Sequence, residues 1–203
     1  MGYDDNAQVL LSFDSLLGNG ENNQGRPIPY TDVDKRWRDF NRDFLVLYHP
    51  EDEARLQQIM GDFWDETYAA EHALLQAQQE IDAGTSDSFT VFNQGWSLTL
   101  LGRHEEAVEA FDRARGIGLP WRMMWYVFAP FEAYYAVGRY DDMLELARAV
   151  IGGTPGVEES YYYAGLAYEQ QGDLTRAKSN YEVALWRNQN FSAAQVALAR
   201  VGG

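Results

Sequence analysis

Cysteine is absent from the 203 residues. A disulfide, a thiolate zinc site and a cysteine nucleophile are therefore excluded within this chain. Histidine occurs only as His49, His72 and His104. Their spacing matches no metal-ligand pattern, and no metal is expected. Basic residues are scarce beside acidic ones, 16 Lys and Arg against 31 Asp and Glu, for a formal net charge of -15. Such a surface lacks the basic footprint that nucleic acid and anionic membranes demand. No apolar run reaches membrane-spanning length, and the N-terminus lacks the basic-then-apolar layout of a signal peptide. No glycine-rich phosphate loop is present, and no cofactor is expected. Location stays open: the sequence suits a soluble protein, cytoplasmic or exported after upstream processing.

What is present is apolar and aromatic. Hydrophobic residues make up 46% of the chain and aromatics 14%. That is enough for a core, so a disordered chain is not expected. The acidic residues are spread along helical stretches and read as a solvated surface.

Residues 160–184 organise the rest. They read as two helices joined by a tight turn at Gly172-Asp173. Gly165 and Ala177 are small enough to let the helices approach, and Tyr168, Tyr181 and Ala184 fill the space around them. This placement of Gly, aromatic, Ala and aromatic residues resembles the tetratricopeptide repeat. The pattern returns upstream. In 88–121, Gly95 takes the small position, Gly102 the turn, and Ala107, Phe111 and Ala114 follow, closed by Pro120. In about 124–157, Tyr134, Gly138-Arg139-Tyr140, Leu144, Ala147 and Pro155 do the same. The last unit is 158–191. The turn glycines Gly102, Gly138 and Gly172 recur at 36 and 34 residues, so the linker around Trp121 carries two extra residues. Pro130 should bend its helix or delay its start. Residues 192–201 read as a final helix over the open end of the stack. Residues 51–83 are helical in pattern, as one long helix or as a degenerate repeat over 54–87. The repeat reading puts Gly61, Trp64 and Ala73 at the Gly, aromatic and Ala positions, with a turn at 65–67 that has no glycine.

The first fifty residues differ. Residues 8–13 read as a strand, 18–29 as a loop, and Thr31 as a helix cap with Asp34 three residues on. Val33, Trp37 and Phe40 give one helical face, and 44–48 read as a second strand, stopped by His49-Pro50. Such a piece cannot bury both faces of its strands, and its edges offer a route to self-association. Gly2-Tyr3-Asp4-Asp5, the strand ending in Phe13-Asp14, Trp37 and Phe40-Asn41-Arg42 resemble the C-terminal end of papain-like cysteine peptidases. The type is the bacteriocin-leader-processing peptidase, whose relatives in bacterial proteins carry appended repeats. The resemblance implies that Asp14 orients a catalytic histidine. It also implies that the Cys and His positions lie upstream of Met1. Ser15 stands where that family often has proline.

The expected fold is an all-α tetratricopeptide repeat superhelix, three clear repeats plus one degenerate, behind a small N-terminal α+β remnant. The expected division is 1–50, 51–87 and 88–203. Carboxylate pairs such as Glu105-Glu106, Asp141-Asp142 and Glu158-Glu159 read as helix-start residues favoured by the helix dipole. His104 reads as structural, at the turn position usually held by Tyr. One surface carries a functional expectation. Projected on the first helices, Phe89, Phe92, Trp96, Trp125, Phe128, Glu132, Tyr135 and Tyr162 fall on the concave side. The Lys, Asn and Arg clamp of repeats resembling chaperone adaptors is missing there. The sequence therefore points to a protein- or peptide-binding scaffold, non-catalytic as this chain, with a partner of net positive charge. The competing class is a peptidase whose repeats position substrate.

Overall fold

The structure is a computed structural model that describes residues 2–13, 18–85 and 87–202. It divides into two compact units, Met1–Trp64 and Asp65–Gly203.

The first unit holds a three-stranded antiparallel sheet of β1 (Gly2–Asp4), β2 (Val9–Ser12) and β3 (Arg26–Pro29), in that order. Asp4 shapes the β1–β2 turn, its Oδ1 accepting from the amides of Asn6 and Ala7 at 2.9 and 3.0 Å. The expected loop over 18–29 thus contains a strand. Pro27 and Pro29 did not prevent it. The Tyr30 amide, next in line, donates inward to the Gln8 carbonyl at 2.9 Å. By the alternation of a strand, Ile28 and Arg26 also face β2, while the two proline nitrogens point outward, where a missing N–H does no harm. Helix α1 (Tyr30–Trp37) starts behind Pro29, so Thr31 lies inside its first turn rather than capping it. Tyr30 donates to Asp5 Oδ1 at 2.8 Å, and that bond is the main reason its pKa is pushed up to about 12.

The strand expected over 44–48 does not form. The Trp37 indole donates to the Asp43 carbonyl at 2.6 Å and Phe44 packs edge-on against Trp37, which ties this end of the segment to α1. Beyond it, Leu45 and Leu47 are exposed. An apolar run becomes a strand only where a neighbour completes its hydrogen bonds. The two neighbours of β2 are already β1 and β3. Helix α2 (Glu53–Met60) ends at Gly61, whose φ of 55° breaks the helix. Gly61 is thus a terminator, not the small residue inside a first helix, and 51–83 is not one long helix.

The second unit is a succession of helix pairs. Helix α3 (Glu66–Asp82) packs on α4 (Ser88–Leu100), which packs on α5 (His104–Ile117). Then come α6 (Ala129–Ala136), α7 (Tyr140–Gly153), α8 (Glu158–Gln170), α9 (Leu174–Arg187) and α10 (Ser192–Val201). Aspartates start three of these helices. Asp65, Asp87 and Asp173 accept from amides in the first turns of α3, α4 and α9. The turns α4–α5, α6–α7 and α8–α9 share one device. Gly102, Gly138 and Gly172 have φ of 71°, 75° and 79°, and the next amide bonds back to the carbonyl of Leu98, Tyr134 and Tyr168. This is the helix stop that glycine's freedom at positive φ allows.

Helix approach follows from small residues. A Cβ on Gly165 would sit 2.4 Å from the Tyr181 ring, and one on Gly95 2.7 Å from Phe111. Ala107 and Ala177 are fully buried. The carboxylate pairs sit in the first turns of α5, α7 and α8 as expected. Helix α10 buries Ala194 and Ala197 against α9 and α8. Pro130 falls in the first turn of α6, so the proline delayed the helix instead of bending it.

Two polar clusters are prominent among the bonds that tie the layers. Tyr134 on α6 donates to Asp112 on α5 at 2.6 Å, and Arg139 at the start of α7 donates to Asp112 and Asp142. At the C-terminal end, Tyr181 donates to Glu169 at 2.6 Å, and Arg200 on α10 holds both Glu169 oxygens. The bond from Arg200 first, then that from Tyr181, holds the Glu169 carboxyl below its usual value against the opposing pull of burial. The folded state therefore favours the ionised form. Its contribution is present above the ordinary value of 4.5 and is lost as pH falls through the lowered one. Glu169→Gln should therefore flatten the loss of melting temperature as pH falls from the ordinary value of 4.5 through the lowered one. Parallel melting curves for variant and parent across that range would refute this.

Candidate functional site

The eight aromatic and acidic residues expected on one face lie on or beside the first helices α4, α6 and α8. Helix α4 presents Phe89 and Trp96, both half-buried and packed on the core. Phe92, between them, is fully buried 5.4 Å from the Phe111 ring. It is a core residue and unable to touch a ligand from the open face. Phe92 and Trp96 are also ring neighbours, at 6.5 Å.

Helix α6 departs most from expectation. It spans 8 residues, whereas α4 and α8 span 13 each. Residues Trp121–Trp125 form a separate 3-10 turn ahead of it. Trp125 and Phe128 therefore precede the helix and do not share a helical face with Glu132 and Tyr135. Trp125 instead stacks edge-on to Trp121 at 5.4 Å and lies beside Tyr126 at 6.3 Å. It remains 36% exposed, so neither tryptophan of the set is sealed inside the chain.

A more coherent aromatic group joins Phe128, Glu132, Tyr135 and Tyr162 of that set to Phe131 and Tyr163, which helical projection did not place there. Phe131 on α6 stacks on Tyr163 of α8, with centroids 4.7 Å apart and planes within 8°. Phe128 lies 5.9 Å from the same ring, and Tyr162 packs on Tyr163 and on Phe191. The Tyr163 hydroxyl donates to Glu132 at 3.2 Å, and Gln170 donates to the Tyr135 hydroxyl at 3.0 Å. Burial, aided by the Glu132 charge, pushes the Tyr163 hydroxyl far up, so it stays protonated and remains a donor. The signal was available. Phe131 stands 36 residues after Gly95 and 34 before Gly165, the position that elsewhere requires the smallest residue. A phenylalanine there has to find a ring outside its own helix pair, and Tyr163 supplies it.

Chemistry beyond packing is sparse. Among the described residues no group of His, Asp and Glu could hold a metal ion. No helix among them is long and apolar enough to cross a membrane. His104 starts α5 with a buried Nδ1 that has no hydrogen-bond partner among the described residues. Asp14, the residue matched to a peptidase's orienting aspartate, lies outside the described residues.

A helix–turn–helix stack with left-handed glycine turns and small residues at the helix contacts defines the tetratricopeptide class of helical repeat proteins. A tetratricopeptide repeat family model matches residues 159–190, which are α8, the glycine turn and α9. Three solved structures of MamA share the fold. MamA from Desulfovibrio magneticus RS-1, residue 41 to its end, superposes with a TM-score of 0.61 at 19% identity, over 84% of this chain and 84% of that one. A double mutant of the RS-1 protein gives a TM-score of 0.60 at 20% identity, over 74% of this chain and 84% of that one. MamA of MSR-1 gives 0.57 at 16% identity, over 84% and 86%. No curated protein sequence matches the chain. Neither the family match nor these structures support the peptidase resemblance of residues 1–50.

Proposed function

We propose that this chain is a non-catalytic scaffold whose repeats, over 88–203, hold a protein partner on the face of their first helices. The observation that carries it is the set of large aromatics left half-buried on α4, α6 and α8 or just ahead of α6: Trp96, Phe128, Tyr135 and Tyr162. Aromatic side chains of this kind anchor desolvated contacts. Glu132 is exposed among them, and the chain is strongly acidic, so the partner is a peptide segment of net positive charge. Peptide-bond hydrolysis by these residues is not part of the proposal, because a thiol nucleophile is missing and the three histidines stand apart. Self-association has one route in this reading, the open edge of β1.

A phage library of random 12-residue peptides, selected on the purified chain at low salt, tests the proposal. Lys- and Arg-rich sequences should be enriched. A fluorescent copy of the best binder should weaken by roughly tenfold or more from 50 to 300 mM NaCl. Trp96→Ala combined with Tyr135→Ala should abolish its capture with the helical signal unchanged. Enrichment of acidic peptides, or full binding by the double variant, would overturn the proposal.

A further inference from the structure

The shortened α6 leaves space. Where a regular repeat continues its first helix, the chain makes the 3-10 turn Trp121–Trp125 and re-enters α6 at Ala129. A cavity of about 170 Å³ lies in this region, beside α5 and α7. Its deep end is formed by Phe92, Phe111 and Met124, each 1% exposed or less. Trp121 forms part of its wall. The Trp121 ring lies so close to Gly153 of α7 that a Cβ there would come within 2.3 Å of it. The outer end carries the ion pair Arg115–Glu145 at 3.0 Å. Arg115 is also bound to the Tyr134 hydroxyl at 3.3 Å. Glu145 gives one carboxylate oxygen to Arg115, and its side chain is 68% exposed. Its second oxygen takes no hydrogen bond among the described residues.

We propose that this cavity is a binding site for a small monocyclic aromatic amine, the ring held among Phe92, Phe111 and Trp121 and the ammonium at the free oxygen of Glu145. Size sets the ring. An apolar cavity of about 150 Å³ takes up benzene, so this one holds one ring and not two. Lining sets the aromatic character, because ring edges and faces favour another ring at offset or edge-on contact. Charge sets the amine. Arg115 is shared between Glu145 and, at 3.9 Å, Asp142, which leaves a surplus of negative charge around it, and the net charge of -15 adds to the attraction for cations. The site is distinct from the peptide-binding face, since only Phe92 is common to both sets and it is turned to the core.

Calorimetric titration of the whole chain with phenethylamine, toluene and phenylacetate tests the site. Phenethylamine should bind saturably with a dissociation constant of roughly a millimolar or tighter. Toluene should bind less well and phenylacetate least. Amide NMR shifts should concentrate around Trp121 and Ala149. Ala149 lines the mouth from an exposed position on α7, so Ala149→Phe fills the opening without entering the core, and should abolish binding. Glu145→Gln should weaken phenethylamine by roughly three- to fivefold and leave toluene unchanged. No saturable binding of phenethylamine, equal or tighter binding of phenylacetate, or parent-like binding by Ala149→Phe would each overturn the proposal. So would binding confined to a peptide that begins with phenylalanine, since the ligand proposed is a free amine.

Discussion

Tyr181→Ala and Phe111→Ala are each expected to remove about 3–5 kcal/mol of stability, the range for deleting a buried aromatic ring. Both rings are buried to within 1%. Each lies across the gap that a glycine opens, Gly165 for Tyr181 and Gly95 for Phe111. The glycine cannot move in to fill the void, so the cavity term should be near its maximum. Tyr181→Ala also strips a hydrogen bond from Glu169 and leaves Arg200 to hold that carboxylate. In a repeat array such losses are local at first. Hydrogen exchange should therefore rise over α8 to α10 in Tyr181→Ala, and over α4 to α6 in Phe111→Ala. Leu100→Ala and Ile117→Ala are the controls, at side chains 62% and 52% exposed, and should change stability by under about 0.5 kcal/mol. A Phe111→Ala variant that melts with the controls would show that α4 and α5 do not meet as described.

The opposite error should cost less but still register. Ala107→Leu and Ala177→Leu push three extra carbons into sites with no exposure at all, and overpacking of this kind costs about 1–3 kcal/mol. For a chain of this length that is a drop of roughly 2–12 °C in melting temperature. Ala193→Leu, at a half-buried site on α10, provides the comparison. Unchanged melting in both core variants would remove the repeat register for these helix pairs.

The repeat register was legible because its determinants are local. A glycine at positive φ, an alanine at a helix contact and a ring one turn away are fixed by short-range sterics, and Gly172, Ala177 and Tyr181 can be read in a line of text. The late start of α6 was readable from Pro130 for the same reason. The strands were harder. Residues 26–29 contain two prolines and looked like loop, yet pair because their donor-free nitrogens face away from β2. Residues 44–48 looked like a strand and are not, because no strand among the described residues lies beside them to complete their hydrogen bonds. Strand formation depends on a partner that sequence proximity does not reveal. The aromatic face was half legible. Trp96, Tyr135 and Tyr162 stay accessible on their helices, but Phe92 was assigned outward from helical projection alone, when the groove opened by Gly95 draws it toward Phe111. Phe131 and Tyr163 went unnoticed as a pair because the residues that stack lie 32 positions apart.

The two prolines of β3 also set a valence. Their nitrogens occupy the outer edge of the sheet at positions where a neighbouring strand would look for donors, so that edge offers no N–H at either one. By the same alternation Gly2 and Asp4 face β2, and Tyr3 is the residue of β1 whose amide and carbonyl face outward. A sheet with two open edges can add copies without limit, as a fibre does. A sheet with one open edge is monovalent. Any pairing through β1 leaves the proline edge outermost, and that edge offers no N–H at Pro27 or Pro29 to a further copy.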